Sequence, residues 1–325
     1  MNGTIRFSLT LLFAAFAGVS SAQAQEKVRF AFIAQIHQAS MMLMQENAKK
    51  CGVDIEVTPL RRYADSQLAL NTNQVDMAVM GYVNIGLMEE KGFRDYKVVG
   101  GVFTGGQGMT LRNGVTVKSW KDLEGKTLGT APNSYAELLF KSSAKLGGAD
   151  ISKIKTVSFA AGGPPAIAAL RDGQIDGFVL WEPNNADASV NKVGYYASLD
   201  IGDNPTKHIN GALLANSAFI KSNPKAVACV VKALVESTNA LNANAARYAD
   251  VAQKGTGATA AVVAESIPRG KLDYRLYQKE AKALLKMISE AGITKVDTSP
   301  VVDQVFDYSF LIDATGRNKR DLGGE

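Results

Sequence analysis

The sequence predicts an α/β protein with a type II layout, two doubly wound lobes joined by a two-segment hinge. Three observations lead there. Short apolar runs alternate with amphipathic helical stretches through residues 28–80 and again through 127–180, the pattern of parallel strands covered by helices. The two stretches repeat one another at an offset of 100 residues, Asp76 matching Asp176. Two long connections, residues 98–112 and 198–215, are too rich in β-formers and glycine for ordinary loops.

Taken in order, the chain opens with basic Arg6, a weakly polar to apolar run over residues 9–19, and Ala22-Gln23-Ala24. That succession reads as a secretory leader, and its apolar part is too short to span a bilayer. Cleavage is expected after Ala24, leaving 301 residues, and no cysteine stands nearby to make a lipoprotein. In the first lobe, strands are expected at 28–33, 55–60 and 75–80, with helices at 38–50 and 64–73. In the second, strands at 127–130, 155–159 and 175–180 enclose helices at 135–146 and 164–172. Within the repeat, Ala69, Leu70, Gln74, Asp76 and Val79 recur as Ala169, Leu170, Gln174, Asp176 and Val179, with a helix stop at Asn73 or Gly173. Helices follow at 224–244, 245–253, 258–266, 273–291 and 300–313, and the polar tail from Arg317 is expected to fray. The divisions are thus a leader at 1–24, a discontinuous first lobe at 25–104 and 206–325, and a second lobe at 105–205.

Composition excludes several classes. The formal charge of +5, or +4 without Arg6, is small and scattered, with no basic stripe for nucleic acid. No segment after the leader is apolar enough for a transmembrane helix. Cys51 and Cys229 read as buried thiols, with a single disulfide as the alternative. Two cysteines and two histidines, His37 and His208, argue against a structural zinc site. No Ser-His-Asp set with a supporting motif and no phosphate-binding glycine loop is present, and no cofactor is expected.

At residues 69–81, 120–127 (WKDLEGKT), 169–176, Trp181-Glu182-Pro183 and Ala218-Phe219-Ile220 with Pro224, the chain resembles the type II substrate-binding proteins of ABC importers. The branch is the one for alkanesulfonates, taurine and nitrate, which also holds thiamine-pyrimidine binding domains. The ordered set is what is specific. The resemblance implies a periplasmic, non-enzymatic monomer that captures a small organic anion, a sulfonate, taurine or a carboxylate, and delivers it to permease and ATPase subunits. The rivals are a thiamine-pyrimidine-related binding protein or enzyme, and a ligand-presenting module for a membrane sensor; fold alone does not separate them.

Parallel α/β sheets bind ligands beyond the carboxyl ends of their strands, where helix N-termini offer unpaired amides to an anion. With the resemblance, this assigns ligand contact to Gln35, His37, Gly81, Tyr82 and Asn84 in the first lobe, and to Asn133, Ser134 and Tyr135 in the second. Ser134 and Glu137 form a candidate capping box. Thr104 and Gln107 are placed on the cleft floor, and Trp181 with Tyr82 as an aromatic wall, core packing being the alternative for Trp181. Glu182 is awkward beside an anion; it lines the mouth, meets a ligand amine, or pairs with an arginine across the lobes. His37 is either a donor or a surface loop residue, and Arg61 and Arg62 are either anion ligands or a solvated pair.

Overall fold

Apolar runs of four to eight residues are stable as strands only when both faces are covered, and here they gather into two sheets. The computed structural model describes residues 25–160, 162–202 and 206–325; the expected leader lies outside them. The strands are β1 (Glu26–Phe32), β2 (Val53–Pro59), β3 (Met77–Gly81), β4 (Tyr96–Gly105), β5 (Gln107–Arg112), β6 (Thr127–Thr130), β7 (Lys155–Ser158), β8 (Gly177–Trp181), β9 (Gly194–Tyr196), β10 (Ile209–Asn216) and β11 (Gly270–Leu272). One sheet has the order β11-β4-β10-β3-β1-β2 and the other β7-β6-β8-β5-β9. Each contains the expected parallel trio, β2-β1-β3 or β7-β6-β8. The sheets are mixed, not purely parallel: β10 runs antiparallel to β3 and β4, and β5 antiparallel to β8 and β9. The antiparallel strands are those where the chain crosses between lobes.

The repeat is structural. Asp76 sits just before β3, and its carboxylate accepts from the Arg29 amide at 2.8 Å while its own amide donates to the Arg29 carbonyl at 2.8 Å. Asp176 makes the same pair with Thr127, at 2.9 and 2.8 Å. In each copy the helix ends with the Gln74 or Gln174 amide on the Ala69 or Ala169 carbonyl at 2.9 Å, past a left-handed Asn73 or Gly173. An arginine completes each unit, Arg29 on Asp76 at 2.6 Å and Arg112 on Asp176 at 3.3 Å. The carboxylate–amide bonds hold the first and third strands of each trio in register; the half-exposed arginines add on the order of 1 kcal/mol or less.

The first crossing is abrupt. β4 ends at Gly105 and β5 begins at Gln107, and both Gly105 and Gly106 have positive φ, 71° and 79°. A Cβ on Gly105 would lie 2.5 Å from the Arg269 carbonyl oxygen, and one on Gly106 would lie 2.6 Å from His37 Nδ1. The return crossing runs beside it: the Gly105 amide donates to the His208 carbonyl at 2.7 Å, and Asn210 Nδ2 donates to the Gly105 carbonyl at 2.7 Å.

Several expectations change. A helix, Tyr82–Glu90, starts directly after β3 where a loop was expected. Residues 273–277 are not helical, because the edge of β4 recruits the first of them: the Asp273 amide donates to Val102 and the Gly101 amide to Tyr274. The stretch 300–313 is broken at Phe306, which bridges to Val98. The tail is docked, since the Leu276 and Gln278 amides donate to Leu322 and Gly323 and the Leu322 side chain is fully buried.

Cys51 and Cys229 are not thiols but a disulfide, with Cα atoms 5.9 Å apart and a sequence separation of 178. Their proximity follows from packing: the helix Ala39–Lys49 lies against the long helix Pro224–Asn242, with Asn47 Nδ2 donating to Ser237 Oγ at 2.8 Å. The bond ties together the two chain segments of the discontinuous lobe.

Glu182 lies behind the hinge and outside the cleft, because alternation along β8 turns it opposite to Trp181. Its carboxylate accepts from Tyr196 Oη at 2.8 Å, the Ala186 amide at 3.0 Å and Ser266 Oγ at 3.1 Å, the last from the other lobe. Arg269 does not pair with it directly; that guanidinium bonds Glu265 at 2.7 Å and stacks 3.7 Å over the Tyr196 ring. Burial pushes the Glu182 carboxyl up to about 7, against the pull of those hydrogen bonds.

Two outcomes are expected in urea unfolding. Replacing both cysteines by serine should remove about 2–5 kcal/mol of stability, with no loss refuting a constraining role for the bond. For Glu182, the unfolded chain releases its proton near 4.5 while the folded chain holds it to about 7, so stability falls as pH rises through that window. Glu182→Gln should therefore gain on the native protein between pH 5 and 8, by up to about 3 kcal/mol. Parallel pH profiles for the two proteins would exclude this.

Candidate functional site

A cavity with about 460 Å³ of empty space, partly open to solvent, lies where the carboxyl ends of the two parallel trios face each other. From the first sheet's side come Ile33 and Gln35 after β1, and Arg61, Arg62, Tyr63 and Ala64 after β2. The other side supplies Pro132, Asn133, Ser134, Tyr135 and Ala136 after β6, and Trp181 at the end of β8. Gln107 and Asn210 line it from the two crossings. Beyond Arg61 and Arg62 the cleft opens between residues 59–65 and Ala160.

Two helix N-termini meet here. The helix Tyr135–Leu146 is capped by Ser134, whose Oγ accepts from the Glu137 amide at 3.2 Å. The Glu137 carboxylate turns instead to the Asn133 amide at 2.7 Å and Thr130 Oγ1 at 3.0 Å, so the box is displaced by one residue. With its oxygen occupied as acceptor, the Ser134 hydroxyl is left to donate. The helix Tyr63–Asn71 starts opposite, with Tyr63 and Ala64 in the lining. The first amides of each helix precede any intrahelical acceptor and carry partial positive charge.

Hydrogen bonds behind the surface orient other groups. Gln38 Nε2 donates to Gln35 Oε1 at 3.3 Å and to Tyr63 Oη at 3.1 Å, which leaves the Gln35 amide nitrogen and the Tyr63 hydroxyl as donors. Tyr135 Oη donates to the Ile209 carbonyl. Burial pushes both tyrosine hydroxyls well above their ordinary value, so they stay protonated. Trp181 packs against Gly162, whose Cβ would lie 3.2 Å from the indole, and presents its remaining surface to the cavity.

Charge in the lining is one-sided: two arginines and no carboxylate among the described residues. Arg62 is held by Asp65 through bonds of 2.7 and 3.2 Å, whereas Arg61 forms no ion pair among the described residues. Glu137, just behind the second helix start, is paired with Lys141 at 3.1 Å.

Of the residues singled out in the sequence, Gln35, Gln107, Asn133, Ser134, Tyr135 and Trp181 share this cavity. Arg61 and Arg62 line it as well; the remaining residues do not. Tyr82 is 1% exposed and its hydroxyl donates to the Leu276 carbonyl at 3.0 Å, so it packs the core and forms no wall. Asn84, on the same helix, donates to Gln67 at 3.1 Å. Both expectations assumed a loop where the helix begins. Gly81 lies one layer behind, giving room to the Tyr135 ring. Thr104 is committed to strand pairing with Ile209 and Lys271. His37 is neither a surface residue nor in the lining; it is 1% exposed, stacked on Phe103 with ring centroids 6.1 Å apart, and wedged beneath Gly106. Burial lowers its pKa to about 4, so the imidazole is neutral at neutral pH.

Tyr63 and Asn210 were missed. Tyr63 follows a strand end, the same signal that located Asn133 and Ser134, but from the loop after β2 only Arg61 and Arg62 were singled out. Asn210 is a lone amide opening a buried strand, INGALLAN, and only its position in the return crossing marks it. No group of His, Cys, Asp or Glu suited to a metal ion, and no helix long and apolar enough to cross a membrane, occurs among the described residues.

Solved structures share this architecture. A ligand-binding component of an ABC-type import system from Staphylococcus aureus, with zinc bound, superposes with a TM-score of 0.76 at 15% identity, over 90% of this chain and 100% of that one. The periplasmic nitrate-binding protein NrtA from Synechocystis PCC 6803 gives 0.74 at 17%, covering 90% and 89%. The alkanesulfonate-binding protein SsuA from Xanthomonas axonopodis pv. citri, bound to MOPS, gives 0.74 at 16%, covering 89% and 100%. At these identities the likeness establishes the periplasmic-binding-protein fold. A comparison with curated proteins finds no match. Residues 49–247, more than half of the sequence, match the family described as NMT1/THI5 like, and the chain belongs to that family.

Proposed function

We propose that this chain is the solute-binding component of an ABC importer, exported by its leader, working as a monomer in the periplasm and taking a small organic anion into the interlobe cavity. One observation carries the reading: the cavity brings Arg61, the Ser134 and Tyr63 hydroxyls and two helix N-termini together, with no carboxylate facing them. An anion loses little by leaving water for such a site, whereas a cation would face Arg61 and Arg62 with no carboxylate among the described lining residues to balance them. Trp181 and Ile33 favour a ligand with an organic body over a bare inorganic ion. Among the described residues the lining holds no His, Cys, Asp or Glu, and its tyrosines remain protonated, which favours capture without turnover. The structural neighbours that bind nitrate and alkanesulfonate agree with this reading.

Calorimetry against alkanesulfonates, taurine, nitrate and small carboxylates should show one site per chain, micromolar or tighter for at least one compound, with the ligand recovered unchanged. Arg61→Ala should weaken binding about 10- to 100-fold, the loss expected for a charge-assisted hydrogen bond. Full affinity in that variant, or heat from cationic compounds alone, would refute the anion reading.

A further inference from the structure

Among the described residues of the cavity wall, Asn210 carries the buried side-chain acceptor that has no partner. Asn210 is a bulge: Ile209 pairs with Thr104 and Gly211 with Phe103, so two steps along β10 answer one step along β4. A bulged residue has no cross-strand neighbour and its side chain is re-aimed, here to the cavity lining. Nδ2 donates to the Gly105 carbonyl at 2.7 Å. The opposite amide orientation would set two oxygens against each other, so the bond fixes which end is which. Oδ1 then remains without a partner on a residue that is 2% exposed. A buried acceptor left unpaired carries a desolvation cost that a ligand donor would relieve.

We infer that Asn210 is a specificity-determining residue that selects anions carrying a hydroxyl or amine over their alkyl homologues. The inference rests on the anion-binding reading and extends it: Arg61, Ser134 and Tyr63 take the anionic end, and Asn210 Oδ1 takes an N–H or O–H from the remainder of the ligand. A site built around a polar group rejects the analogue that leaves that group unpaired far more strongly than an apolar pocket rejects a wrong shape.

The test uses two matched series in calorimetry. One is propane-1-sulfonate, 2-hydroxyethanesulfonate and 2-aminoethanesulfonate; the other is butyrate, 3-hydroxypropanoate and 3-aminopropanoate. In the native protein a donor-bearing member of at least one series should bind tenfold or more tightly than its alkyl homologue. Asn210→Leu should bring that ratio close to one. Asn210→Asp, nearly isosteric, should raise the amine-to-hydroxyl ratio several-fold by adding charge at the same point. A merely structural role would lower all members in parallel and leave the ratios intact. Equal affinities within both series, or ratios unchanged in Asn210→Asp when Asn210→Leu does not fold, overturn the inference and leave the anion reading standing. Absence of binding in both series removes the reading and the inference together.

Discussion

Two strands pass between the lobes side by side, and their mutual hydrogen bonds are the constraint on which the architecture turns. The Gly105 amide meets the His208 carbonyl, and the Asn210 side chain meets the Gly105 carbonyl, so outgoing and returning chain are fastened at the point of crossing. The fastening places both cavity faces at a fixed separation from a common floor. It also explains the crowding beneath: a neutral imidazole and a carbonyl fill the space that side chains on Gly105 and Gly106 would need. On the far side of this floor Glu182, Tyr196, Ser266 and Arg269 form a second contact between lobes. A cleft that opens in front must change this contact behind, so the two faces of the hinge are mechanically linked.

Much of this was legible in the residues because the repeated unit is held by local chemistry. A helix stop followed by an aspartate whose carboxylate and amide both meet the first strand of its trio is a pattern of one residue type at one spacing, and it recurs at Asp76 and Asp176 for the same reason. The strand-end rule located Gln35, Asn133, Ser134 and Trp181 because the carboxyl end of a parallel strand is fixed by chain direction alone.

What escaped the sequence depended on contacts between distant segments. Tyr82 and Gly81 looked like loop because nothing local marks a helix that starts at the last residue of a strand; the packing of Tyr82 against Leu276 decides it. His37 looked exposed because the strand that buries it, β11, is three residues long and more than 200 residues away. Asp273 and Tyr274 answer a vacancy at the edge of β4, which no periodicity in their own sequence announces.

The bond between Cys51 and Cys229 has a consequence for how the molecule is built in time. Synthesis delivers Cys51 long before its partner, with the whole second lobe and both crossings lying between them. The lobe that starts first therefore finishes last, and the sulfur–sulfur bond can close only after everything enclosed by that 178-residue span has been made. A chain that carries it has been read through at least into the helix Pro224–Asn242, and one that stops before Cys229 cannot carry it.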